Sequence, residues 1–138
     1  MKKIFLSGFL AGLAMLVVAL ILQPIFNLLL PSLAVEYANP ALFRPWSDPL
    51  MSLYFLHPFL VGFILAGIWN KVKTVIQGES TWQKGSRFAV GVWLIATLPG
   101  MFISYASFPL SPLIIFSWMA SGLVQLLVAG WIYAKMNK

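Results

Sequence analysis

Four apolar stretches, at 4–30, 50–69, 86–108 and 112–134, contain between them a single Asp, Glu, Lys or Arg residue, the Arg87 at the start of the third. A helix of about 20 apolar residues rising ~1.5 Å per residue crosses the ~30 Å hydrocarbon core of a bilayer. Each stretch reaches that length. None alternates with period two, as the strands of a membrane barrel do. Apolar helices must be covered by protein or by lipid, and this chain has little protein to cover them with. It is 61% hydrophobic and 9% charged over 138 residues, whereas a soluble domain carries roughly 25% charged residues. The expected fold is an all-α integral membrane protein, one domain over 1–138, built as a four-transmembrane-helix bundle. An outer loop spans 31–48 and a cytoplasmic loop spans 70–85.

The start of the chain, Lys2 and Lys3 before an apolar run, resembles a secretory signal. The apolar core of a signal is only ~7–15 residues long, and here it continues to Leu30. Ser32-Leu33-Ala34 would serve as a cleavage site but lies too far along, so the run is read as the first membrane helix. Basic residues then set the orientation. Lys2, Lys3, Lys71, Lys73, Lys84, Arg87, Lys135 and Lys138 fall on one side, and only Arg44 on the other, next to Glu36 and Asp48. Cytoplasmic loops carry the excess of Lys and Arg, which predicts both termini inside and an inner (cell) membrane location. The net charge of +6 is thereby explained by topology, and nucleic acid is not expected as a partner. Trp69, Trp82, Trp131 and Tyr133 are expected in the inner aromatic belt, and Tyr37, Trp46 and Tyr54 in the outer one.

Local signals punctuate the helices. Ser47-Asp48-Pro49 and Ser111-Pro112 each place a capping side chain ahead of a proline in the first turn. Pro24 interrupts the first helix and Pro99-Gly100 the third, each freeing a backbone carbonyl. Pro49 and Pro112, like Gly67 and Gly130, are 63 residues apart, the spacing that two tandem helical hairpins would leave. The short link around Ser107-Phe108-Pro109 makes the last two helices antiparallel neighbours.

The chemistry available is limited. The absence of cysteine excludes disulfide exchange, thiolate metal sites and cysteine nucleophiles. The three acidic residues, Glu36, Asp48 and Glu79, all lie outside the apolar runs, so no carboxylate is placed for proton coupling within the membrane. No catalytic, metal or nucleotide motif is present, no cofactor is expected, and no family resemblance emerges from the motifs.

The candidate site rests on polar residues at matched depth. His57, the sole histidine, lies about seven residues into the second helix, ~10 Å from its outer end. An ionisable side chain there suggests function, although a neutral imidazole bonded to a neighbouring helix would look the same. Gln23 and Asn27 share a face of the first helix, Ser117, Ser121 and Gln125 a face of the fourth, and Thr97, Gly100 and Ser104 a face of the third. If these faces converge, they enclose a polar pocket open to the outside, roofed by the proline-rich loop. Arg44 would bridge Glu36 and Asp48 in that roof. The competing reading is glue, since hydrogen bonds between membrane helices average ~0.6 kcal/mol and are common. Gly8 with Gly12, and Gly62 with Ala66, have the spacing that lets helices approach closely.

The preferred function is binding or transport of a small molecule, ion or lipid by His57, Gln23, Asn27, Gln125 and Ser121, with Arg44 nearby. One alternative is an accessory or scaffold subunit that self-associates or joins a larger membrane complex. Another is a membrane enzyme acting on a lipid or quinone, with His57 as general base. Membrane lipids are the expected surroundings in every case.

Overall fold

The computed structural model describes residues 2–137; Lys138, counted above among the basic residues, lies outside that range. Helix α1 runs Lys2–Leu29, α2 Pro31–Tyr37, α3 Ser52–Val72, α4 Thr81–Val92, α5 Leu98–Ser107 and α6 Pro112–Met136. A single 3-10 turn, Pro49–Met51, leads into α3, and a π-helical turn, Trp93–Thr97, joins α4 to α5. These elements form four helices long and apolar enough to cross a membrane: Lys2–Leu29, Pro49–Val72, Thr81–Ser107 and Pro112–Met136.

The caps read from sequence are in place. Asp48 Oδ1 accepts from the Leu50 N–H at 2.9 Å, and Ser111 Oγ accepts from the Ile114 N–H at 3.3 Å. The third span begins at Thr81 rather than 86. Ser80 Oγ accepts from the Gln83 N–H at 3.1 Å, and Gln83 Oε1 accepts from the Glu79 N–H at 2.8 Å. This near-reciprocal pair is a variant of the capping box, and it lets the polar turn around Lys84 stay helical outside the apolar run. The break at Pro99 also takes a particular form. A proline ring clashes with the carbonyl four residues earlier, here Ile95. The π turn that contains Ile95 widens the helix at that point.

The helices pack in the order α3, α1, α6, α4, so α1 and α6 form the middle of the bundle. The α1–α3 seam closes on glycine. A Cβ added to Gly12 would lie 2.7 Å from Phe59 Cα, and one on Gly62 would meet the backbone of Gly8 and Gly12. Phe5 stacks on Phe63 and Phe9 on Phe59, with centroids 5.0 and 5.5 Å apart. The α4–α6 seam closes in the same way: a Cβ added to Gly85 would lie 2.6 Å from the Gly130 carbonyl oxygen. Such close backbone contact supplies dispersion that helps hold the helices together. A Cβ added to Gly67, which is 63 residues before Gly130, would meet nothing within 4 Å, so the two glycines at that offset have different roles.

The two ends of the bundle differ. The basic end carries Lys2, Asn137 and the 73–80 turn, with a core of Ala11, Met15, Trp69, Phe88, Ala129 and Tyr133. The loop end carries 38–48 and the 108–111 link, around a smaller core of Leu33, Leu110 and Ile114. There α2 is clasped to α6. Glu36 Oε1 accepts from the Ser111 N–H at 2.8 Å, and Trp118 Nε1–H donates to Tyr37 Oη at 2.7 Å.

Candidate functional site

The polar residues singled out in the sequence do not gather in one place. Phe59 packs on Phe9 and Gly12 across antiparallel helices, so His57 stands level with about residue 14 of α1. That is about nine residues, ~14 Å, from Gln23 along the axis. The depth match obtained by counting from helix ends therefore does not hold, because α3 is staggered toward the basic end. His57 is exposed on the outer surface of α3. Gln125 Nε2 donates to Ser121 Oγ at 2.9 Å within α6, and Ser117 Oγ donates to the Ile114 carbonyl at 2.8 Å. Ser104 Oγ donates to the Gly100 carbonyl in the same self-bonded manner. Gln23 and Asn27 are half-buried on α1, and the Asn27 Oδ1 atom is buried without a hydrogen-bond partner.

Arg44 is also placed differently. Its guanidinium pairs with Asp48 at 2.8 Å, while Glu36 turns away to the N-terminus of α6. The expected bridge from Arg44 to both carboxylates is not formed. Glu36 instead satisfies an orphan N–H and complements the positive end of the α6 dipole. The Leu50 N–H, and then the hydrogen bond from Arg44, hold the Asp48 carboxyl below its ordinary pKa.

Two residues expected in an aromatic belt are core residues. Trp69 is 1% exposed and Tyr133 0% exposed. Trp69 Nε1–H donates to the Asn137 carbonyl at 3.0 Å, and Tyr133 Oη–H donates to the Gly62 carbonyl at 2.9 Å. Asn137 Nδ2 donates to Ser7 Oγ at 2.6 Å, and Ser7 Oγ to the Ile4 carbonyl at 3.0 Å. These bonds tie the end of α6 to α1 and α3 at the basic end. Each buried donor named here has an acceptor, which makes this cluster a structural lock rather than a site waiting for a ligand.

A groove lies elsewhere. Helices α3 and α4 flank the central pair without closing on each other, and a groove of about 810 Å³ lies between them. Small-molecule sites typically hold ~300–1,000 Å³. Ile64, Ile68 and Val72 form its α3 wall, and Gly91 of α4 with Ile95 and Ala96 of the π turn form the other. Leu65 and Phe88 form the floor, where the Phe88 ring meets Trp69 edge-on at 5.3 Å. Arg87 and Gln77 line the basic end of the groove, and Arg87 NH1 donates to the Gln77 carbonyl at 2.7 Å. Gly91 has nothing within 4 Å of its missing Cβ, which leaves that wall open. A smaller groove of about 410 Å³ lies between α5 and α6 at the loop end, lined by residues such as Met101, Tyr105 and Phe116.

Sequence reasoning assigned Arg87 to topology and missed the groove. The available signal was that Arg87 is the single charge at the edge of an apolar run, with Gly91 one helical turn further on. Among the described residues, no group of three or more His, Cys, Asp or Glu side chains is placed to hold a metal ion. Comparison of the chain with protein-family models, with curated proteins and with solved structures yields no match.

Proposed function

We propose that the protein is a multi-pass integral membrane protein, with both termini and the 73–80 turn on the cytoplasmic side. In this reading it is a non-catalytic binding protein for an amphiphile that enters the α3/α4 groove sideways from the bilayer. The observation that carries the reading is the groove itself, with apolar walls, one polar end and no helix across its mouth. The four apolar spans and the basic bias toward one end support the orientation. In this reading His57, Gln23, Asn27, Gln125 and Ser121 share no pocket, and Gln125 and Ser121 bond each other within α6.

The test of binding is native mass spectrometry of the protein released from lipid nanodiscs. A discrete retained mass is expected on the wild type and should be lost in Gly91→Trp, which fills the groove from its open wall. Equal retention by both proteins would sink the reading. The cysteine-free chain also makes the topology easy to test. A single cysteine at Ala38 should react with a membrane-impermeant maleimide in intact cells, and one at Glu79 should not. The opposite pattern would reverse the orientation.

A second reading, an accessory subunit, is favoured by the third span. Only 11% of its most apolar window is buried within the bundle, and Phe102 and Ile103 are well exposed. A photo-crosslinker at Phe102 should then capture a partner helix in native membranes. Adducts with lipid alone would count against this reading.

A further inference from the structure

We infer that the amphiphile held in the α3/α4 groove is an anionic phospholipid of the leaflet at the basic end, with its phosphate on Arg87. The inference rests on the groove-binding reading and adds the class of headgroup.

The length of the groove selects one leaflet. From Arg87 to Ala96 it follows about nine residues of helix, ~13 Å, close to half of the ~30 Å hydrocarbon core. One acyl chain lying between Ile64 and Ile68 on one side and Gly91 and Ile95 on the other would reach from the headgroup level to the bilayer midplane.

The charge at its end selects the headgroup. Arg87 is exposed at the polar mouth of an otherwise apolar groove. Among the described residues no carboxylate pairs with it; Asp48 pairs with Arg44. Its bond to the Gln77 carbonyl uses one of the five N–H groups of a guanidinium. That bond holds the side chain at the groove mouth and leaves the rest of the fork for a planar, bidentate phosphate contact. The depth is also suitable. Arg87 stands about six residues inside the start of α4, so its stem lies along apolar wall while its head reaches the interface. A zwitterionic headgroup brings its own cation to this site and an anionic one does not, so a net negative lipid is preferred.

The experiment uses nanodiscs of equimolar phosphatidylglycerol and phosphatidylcholine, with native mass spectrometry of the released protein. The wild type should retain phosphatidylglycerol over phosphatidylcholine by about fivefold or more, the size of one basic side chain's attraction to an anionic surface. Arg87→Gln should bring the ratio close to one. Lys135→Gln, a basic residue at the same end that lies over the Trp131 ring and outside the groove, should leave it unchanged. Gly91→Trp and Ala96→Trp, each checked for an unchanged thermal transition, should lose the retained lipid of either class. A ratio unaffected by Arg87→Gln, or reduced equally by Lys135→Gln, would overturn the headgroup assignment while leaving groove binding intact. Retention of lipid by both groove-filling variants would overturn both. A wild-type dimer that Gly91→Trp separates would show a second copy of the chain as the occupant and would also overturn both.

Discussion

On the α1–α3 and α4–α6 sides of the bundle, glycine brings backbones together; between α3 and α4 it holds space open. Gly62 lies against Gly8 and Gly12, and Gly85 against Gly130, with no room for a Cβ on either seam. Gly91 lines the groove, and a Cβ there would meet nothing within 4 Å. The residue type is the same and the missing side chain has opposite consequences. Close contact between backbones gains dispersion that an open face does not. Two seams of backbone contact, locked at the basic end by Asn137, Ser7, Trp69 and Tyr133, hold the bundle together. The side between α3 and α4 is therefore free to remain a cleft.

The contrast can be broken most directly at the glycines. Gly62→Leu and Gly130→Leu should each destabilise the protein by ~1–3 kcal/mol or more, the cost of overpacking a closed contact, read as a lowered midpoint in unfolding from mixed micelles. Gly91→Leu should stay within about 0.5 kcal/mol of wild type, as surface substitutions usually do. A Gly91→Leu loss equal to that of Gly130→Leu would mean the cleft is as tightly closed as the seams.

A smaller effect is expected at the lock. Asn137→Ala removes the donor to Ser7 Oγ and should cost about 1 kcal/mol, the net value of a typical intramolecular hydrogen bond. Smaller still is Tyr133→Phe, which leaves the ring in its pocket and deletes one bond to the Gly62 carbonyl. About 0.6 kcal/mol is expected from interhelical bonds in membrane proteins. If Tyr133→Phe proves costlier than Asn137→Ala, the lock is centred on α3 and α6 rather than on the end of α6 and α1.

The smallest effect belongs to the loop end and depends on pH. The Asp48 carboxyl is held below its ordinary pKa by the Leu50 N–H and by Arg44. A depressed folded-state pKa contributes stability that is present above the ordinary carboxylate range and lost as pH falls through the folded value. The start of α3 should therefore be unaffected between neutral and mildly acidic pH and should fray only at lower pH. Hydrogen exchange at the Leu50–Ser52 amides follows this directly. Asp48→Asn, which keeps a capping oxygen but cannot titrate, should abolish the dependence; its persistence in that variant would assign it to another group.

Much of the fold was legible because it depends on composition and on local hydrogen bonding. The four apolar runs, the caps at Asp48 and Ser111 and the disturbance around Pro99 all follow from residues within a few positions of one another. The start of the third span was misread by five residues because hydropathy was weighed above the cap. Ser80 and Gln83 carry a visible capping signal, but Lys84 and Arg87 lower the hydropathy of that turn. The candidate site was less legible. Trp69 and Tyr133 have the composition of an interfacial belt and the burial of a core, and Arg87 looks like any basic residue at a helix end.

The sequence by itself determined the four long apolar spans, their approximate ends and the excess of basic residues; the helix Pro31–Tyr37, inside what was read as outer loop, it did not. Only the tertiary structure decided how the helices are rotated and staggered. Helices such as α1, α3 and α6 are apolar almost all round, so no polar stripe marks the face that turns inward. Their relative depth follows from where Phe59 meets Gly12 and where Gly85 meets Gly130, contacts between residues far apart in the chain. That rotation and stagger separated His57 from Gln23, buried Tyr133 and left Arg87 at the mouth of an open groove.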